Sequence, residues 1–163
     1  MKVLGIDPGT AACGYGIVQE SRGRLRALDY GWWKTPASDR PEARLRTIYE
    51  AVDELIRRAA PDVVALEESF VGVDARTALS VGQARGAVLV ASALADVECA
   101  EYAPARVKQA VCGYGRAEKA QVQRMVQAIL RLDAPPTPNH AADALAVAIC
   151  HALAPPLLKA VPA

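Results

Sequence analysis

Along the first third of the chain, apolar residues come in short runs separated by turn residues. Val3 to Ile6 closes on an acid, Asp7, and a Pro-Gly turn follows. A second run resumes from Gly14 to Glu20, and after the Ser21-Arg22-Gly23 turn the stretch Arg24 to Thr35 alternates apolar and polar positions. This pattern predicts three strands in an antiparallel meander. The period then changes. Leu45, Ile48, Val52, Leu55 and Ile56 recur at helical spacing until Pro61. Asp62 to Leu66 is a continuous β-branched run, as expected of a strand buried on both faces, and it ends at Glu67 and Glu68. A small-residue helix is predicted from Thr77 to about Ala95 and a short strand over Val97 to Tyr102. Two helices, broken at Gly113 to Gly115, follow, and after a Pro-rich linker a last helix runs from Asn139 to about Leu153.

The order βββαβαβααα implies an α/β fold, a mixed five-stranded sheet flanked by helices. In such sheets ligands gather where strand ends open a crevice. Asp7 and Glu67 are predicted at two such ends. The layout suits both a ribonuclease-H-like fold and half of an actin-like ATPase. One domain over residues 1–154 is expected, with a frayed tail over 155–163.

Composition narrows the class. The 163 residues are 52% hydrophobic and 23% charged, with a net charge of +1, a soluble globular balance. Near-neutrality does not exclude nucleic acid if acids gather in one site and bases on one face. Bases do cluster: Arg22, Arg24 and Arg26; Arg106 and Lys108; Arg116, Lys119 and Arg124. The four cysteines, Cys13, Cys99, Cys112 and Cys150, are widely spaced and read as buried thiols in a reducing compartment. No signal-peptide pattern opens the chain, and the apolar run Gly86 to Ala95 is too short to span a bilayer. A cytoplasmic protein without a membrane partner is expected.

Asp7 before Pro8-Gly9 could be a turn aspartate. Glu67 is harder to dismiss, because a charge closing a buried strand needs a partner or a metal. Asn139 is a candidate N-cap, and His140 and Asp143 then share one helical face. Three carboxylates and an imidazole from two strand ends and one helix start form an oxygen-rich set for hard divalent cations. Such a set suits two-metal phosphodiester hydrolysis.

The motifs "GIDPGT…GYG", "ALEESF", "VGQARG", "YAPARVKQAVCGYGRAEKAQV" and "HAADALAVAICH" resemble, in order from Lys2 to about His151, the RuvC family of Holliday junction resolvases. The resemblance implies a ribonuclease-H-like homodimer that cuts four-way junction DNA symmetrically, leaving a 5′-phosphate and a 3′-hydroxyl. It implies two Mg2+ or Mn2+ ions per active site, held by Asp7, Glu67, Asp143 and His140, the last standing where many members have a fourth acid. It assigns Lys108, Lys119 and Arg76 to DNA contacts, with Lys119 also stabilising charge during cleavage. Phe70 matches an aromatic that stacks on bases at the junction centre. A branch-migration motor of the RuvA and RuvB type is the implied partner. Val73 and Asp74 stand where members often carry a basic residue and an asparagine. The actin-like alternative needs two such domains and lacks the late His-x-x-Asp helix. A non-catalytic DNA-binding relative would be expected to have lost acids.

Overall fold

The computed structural model describes residues 1–68 and 75–155. The meander forms as predicted: β1 (Lys2–Asp7), β2 (Ala12–Ser21) and β3 (Arg24–Lys34) are joined antiparallel. Helix α1 (Pro41–Ala59) then crosses over to β4 (Val63–Glu67), which lies parallel to β1. After α2 (Ala75–Leu94), β5 (Glu98–Tyr102) adds parallel to β4. The sheet order is β3-β2-β1-β4-β5, so Asp7 and Glu67 close two adjacent central strands at the same edge. Helices α3 (Pro104–Cys112), α4 (Lys119–Leu130) and α5 (Asn139–Leu153) complete the chain.

The sheet separates two cores. On one face Leu4, Ile6 and Ile17 pack with Ile48, Val52 and Ile56 of α1 and with Ala84, Val88 and Ala91 of α2. On the other, Val3, Val18 and Ala65 pack with Val107, Val126 and the apolar body of α5. β1 and β4 therefore contribute to both cores, which is why their sequences are runs rather than alternations. β3, at the edge, alternates exposed and half-buried positions throughout.

Two local features differ from expectation. α5 starts at Asn139 itself, with Pro138 in the capping position, and no side chain caps it. The Asn139 side chain accepts a hydrogen bond from Gln123 Nε2 instead, at 2.8 Å. The second concerns α2, which is longer than its most apolar run. By length and composition it is apolar enough to cross a membrane. One face, however, is committed to the core through Ala84, Val88 and Ala91, and Arg85 pairs with Glu101 of β5. All four thiols are free; Cys13 and Cys150 are buried as expected, whereas Cys99 and Cys112 are only half-buried.

Candidate active site

The site is assembled by close approach of α5 to the sheet. A Cβ on Gly5 would overlap the carbonyl of Ala144, and one on Gly14 would overlap the carbonyl of His140. A Cβ on Gly16 would meet the Leu145 side chain at 2.7 Å. Glycine at these strand positions lets the helix backbone rest directly on β1 and β2. The alanines at 141, 142, 144, 146 and 148, all buried, keep the helix side of the contact equally thin. The outcome is positional. The first turn of α5 lies over the Asp7↔Gly14 end of the β1–β2 ladder.

His140 Nδ1 stands 2.7 Å from Asp7 Oδ2. Lys119, the first residue of α4, donates from Nζ to Asp143 Oδ2 at 2.7 Å. Glu67 faces a cleft of about 300 Å³ lined also by Lys108, Lys119, Val122 and Asp143. Burial, then the charges of Asp7 and Asp143, push the Glu67 carboxyl up to about 7, against the pull of Lys108 and Lys119. Asp7 is also raised, chiefly by burial and further by Asp143, while its hydrogen bond to His140 holds it down. Glu68 is exposed, its backbone N–H donating to Tyr102 O at 2.9 Å.

The predicted acids are therefore neighbours: Glu67 feels Asp7 and Asp143, and Asp7 feels Asp143. Their side chains form two pairs beside Glu67, a hydrogen bond between Asp7 and His140 and an ion pair between Asp143 and Lys119. Among the described residues no three acids, imidazoles or thiols converge closely enough to hold an ion as they stand. The donor chemistry nonetheless fits hard divalent cations. Asp143 raises the proton affinity of Asp7, and both raise that of Glu67, which is the electrostatic strain a cation relieves.

Of the predicted DNA contacts, Lys108 and Lys119 line the Glu67 cleft. Arg76 lines a second cleft of about 400 Å³ with Gly9, Thr10, Thr77, Ser80 and His140. His140 thus stands between the acids and Arg76. Phe70, Val73 and Asp74 lie outside the described residues. Sequence reasoning missed Thr10 and Ser80, whose hydroxyls hydrogen-bond across the second cleft. The Pro-Gly-Thr turn carried the signal for Thr10; nothing local marked Ser80. It also missed the Lys119–Asp143 pair, because residues 24 positions apart on different helices leave no spacing to read.

The sequence profile described as "Crossover junction endodeoxyribonuclease RuvC" matches residues 3–151. The chain belongs to the RuvC family. A curated RuvC of Moorella thermoacetica is 55% identical over 152 residues, covering 93% of this chain and 91% of that one. The solved Thermus thermophilus RuvC superimposes with a TM-score of 0.87 at 42% identity, covering 93% of each chain. The same protein in complex with Holliday junction substrate gives 0.86 at 39% identity, again over 93% of each. The RuvC match includes Asp7, Glu67, His140 and Asp143 and rules out the actin-like reading.

Proposed function

We propose that this protein resolves four-way DNA junctions by hydrolysing one phosphodiester on each of two symmetric strands, leaving a 5′-phosphate and a 3′-hydroxyl. The observation that carries this reading is the gathering of Asp7, Glu67 and Asp143 at one sheet edge, beside a cleft lined with Lys108 and Lys119. Membership in a family named for crossover junction cleavage, and a relative solved with Holliday junction substrate, support the choice of DNA.

Asp7, Glu67, Asp143 and His140 are the residues that would hold magnesium or manganese, two ions to a site. Bound there, such ions supply an acidified water and neutralise phosphate charge. The chain's own groups do the rest. The Asp7–His140 hydrogen bond orients both side chains. Lys119 brings positive charge to the cleft where charge develops on the phosphate. Lys108 and Arg76, each lining one of the two clefts beside the acids, would hold backbone phosphates. Phe70, two residues beyond Glu68, stacks on an unpaired base at the junction centre in this reading.

Two symmetric cuts call for a two-fold dimer. The outer face of α2 supports one: Leu79, Val90 and Leu94 are 65%, 53% and 68% exposed, an apolar face on a helix whose other side is core. A branch-migration motor of the RuvA and RuvB type is the proposed partner, and the cytoplasm the proposed location. The test is a gel assay on a synthetic four-way junction with linear duplex as control, in magnesium and in manganese. Symmetric nicking of the junction alone is expected; equal cutting of duplex would overturn the reading.

A further inference from the structure

A cleft larger than the one at the acids opens elsewhere on the molecule. It has a volume of about 1250 Å³ and lies between the β2–β3 turn and the C-terminal ends of α4 and α5. The β1–β2 ladder runs from Asp7↔Gly14 at the acids to Lys2↔Gln19, and Gln19 lines this cleft. The two sites are thus separated by the length of β1, about 17 Å.

Its charge is one-sided. Arg22, Arg24, Arg26 and Arg131 line it and no carboxylate does. Among the described residues none of the four arginines is in an ion pair, although Arg40, Arg46, Arg57, Arg58 and Arg85 all are. The nearby Glu20 is turned to the N–H of Gly23 and the chain's amino terminus. The cleft also has an apolar side, where Leu28 and Leu153 are 47% and 52% exposed.

The backbone adds an independent indication. Arg22 occupies the first central position of the two-residue β2–β3 hairpin turn with φ of 51°, followed by Gly23 at 75°. That turn favours Asn or Asp before Gly. Arg131 ends α4 in the left-handed conformation, φ 53° and ψ 47°, where Gly is usual. Two of the four arginines therefore stand where their own backbone would be better served by another residue, and both face one cleft. Folding alone does not ask for them.

We propose that this cleft is a docking site for an acidic, leucine-bearing segment of a partner protein. Free guanidinium groups supply bidentate partners for Asp and Glu. The exposed leucines supply the apolar contact that anchors a peptide and that a phosphate backbone does not use. Its distance from the acids lets the partner and a DNA substrate be held together, so the site suits a protein that delivers or retains the enzyme on DNA.

The test uses the full chain and a labelled short peptide of Glu, Asp and Leu, read by fluorescence anisotropy. A matching peptide of Gln, Asn and Leu and a short blunt DNA duplex serve as competitors. The double variant R22G/R131G is expected to weaken the acidic peptide by about tenfold or more. It should melt no lower than the parent, since glycine suits both backbone positions, and should cut junctions at the parental rate. Competition by the neutral peptide equal to that of the acidic one, or no acidic-peptide binding, overturns the proposal. So does displacement by duplex alone, which would make the cleft a nucleic-acid surface. A second variant, Leu153→Ser, is expected to weaken the peptide without altering duplex affinity; unchanged peptide affinity would remove the apolar half of the argument.

Discussion

Replacing Glu67 by Gln should stop cleavage and, in chelator, make the protein more stable at high pH. Glu67 is a carboxyl pushed from its ordinary 4.5 to about 7 by burial and by Asp7 and Asp143. The folded chain therefore holds the Glu67 proton more tightly than the unfolded chain does. The resulting stability is fully present below about pH 4.5 and is lost as the pH rises through 7. A displacement of that size corresponds to about 3 kcal/mol for a group sealed from water. Glu67 opens onto the cleft, and solvent screening lowers the figure to roughly 1–2 kcal/mol. Gln has the same shape and no charge to bury, so its variant should escape the loss. For a domain of this size the difference is about 2–8 °C in Tm. The assay is a series of thermal melts of both proteins in EDTA between about pH 4.5 and 8.5. The curves should meet at the acid end, part between about pH 4.5 and 7, and keep a constant gap above neutrality, with the variant higher. Added magnesium should narrow the gap by binding the wild type better. Parallel curves across the range, or a variant less stable at pH 8 than its parent, would refute the account of Glu67 as a strained carboxylate.

Asp7→Asn and Asp143→Asn should each abolish junction cleavage while leaving junction affinity by gel shift within a few-fold of wild type, since phosphate contacts on Lys and Arg supply the binding. Phe70→Ala should bind junctions normally and cut them poorly, with partial rescue by a junction carrying unpaired bases at its centre; stacking of about 1–3 kcal/mol per base is what is lost. Gly14→Ala should cost about 2–3 kcal/mol in chemical denaturation and lower cleavage as well, because the new methyl meets the backbone of His140. His140→Asp should shift metal preference in the cleavage assay from manganese towards magnesium, since magnesium favours oxygen over nitrogen; an unchanged ratio would remove His140 from the ligand set.

Much of this was legible in the sequence, and for identifiable reasons. The run of β4 announces a strand buried on both faces, and the structure shows it, and β1 beside it, feeding both cores. Glu67 was readable because a charge closing such a run needs a partner or a metal, whereas Asp7, beside a Pro-Gly turn, gained meaning only from Glu67 and the His140–Asp143 face. His140 and Asp143 share a helix face, so spacing alone brings them together. What spacing does not encode is contact between elements. The pairing of Lys119 with Asp143 depends on how α4 packs on α5, and the Gln123–Asn139 hydrogen bond on the same interface. Asn139 was read as a cap because its type and position fit one, and tertiary packing claimed its side chain first. The arginines of the β2–β3 turn were visible as a cluster. That Arg131 joins them follows only from the fold.

The bare contact between α5 and the sheet has a consequence for how this protein tolerates change. Most cores absorb a substitution by letting neighbouring side chains rotate, so an error in one place is softened before it reaches another. At Gly5 and Gly14 no such layer exists, because backbone lies against backbone. Any displacement of β1 is handed undiminished to the first turn of α5, and with it to His140 and Asp143. A saturation library selected for folding should therefore be enriched in glycine at these two positions, with larger residues lost first, while remaining permissive in both cores. The reacting groups keep their spacing at the cost of an inflexible joint, and evolution at this site is confined to the side chains that rim it.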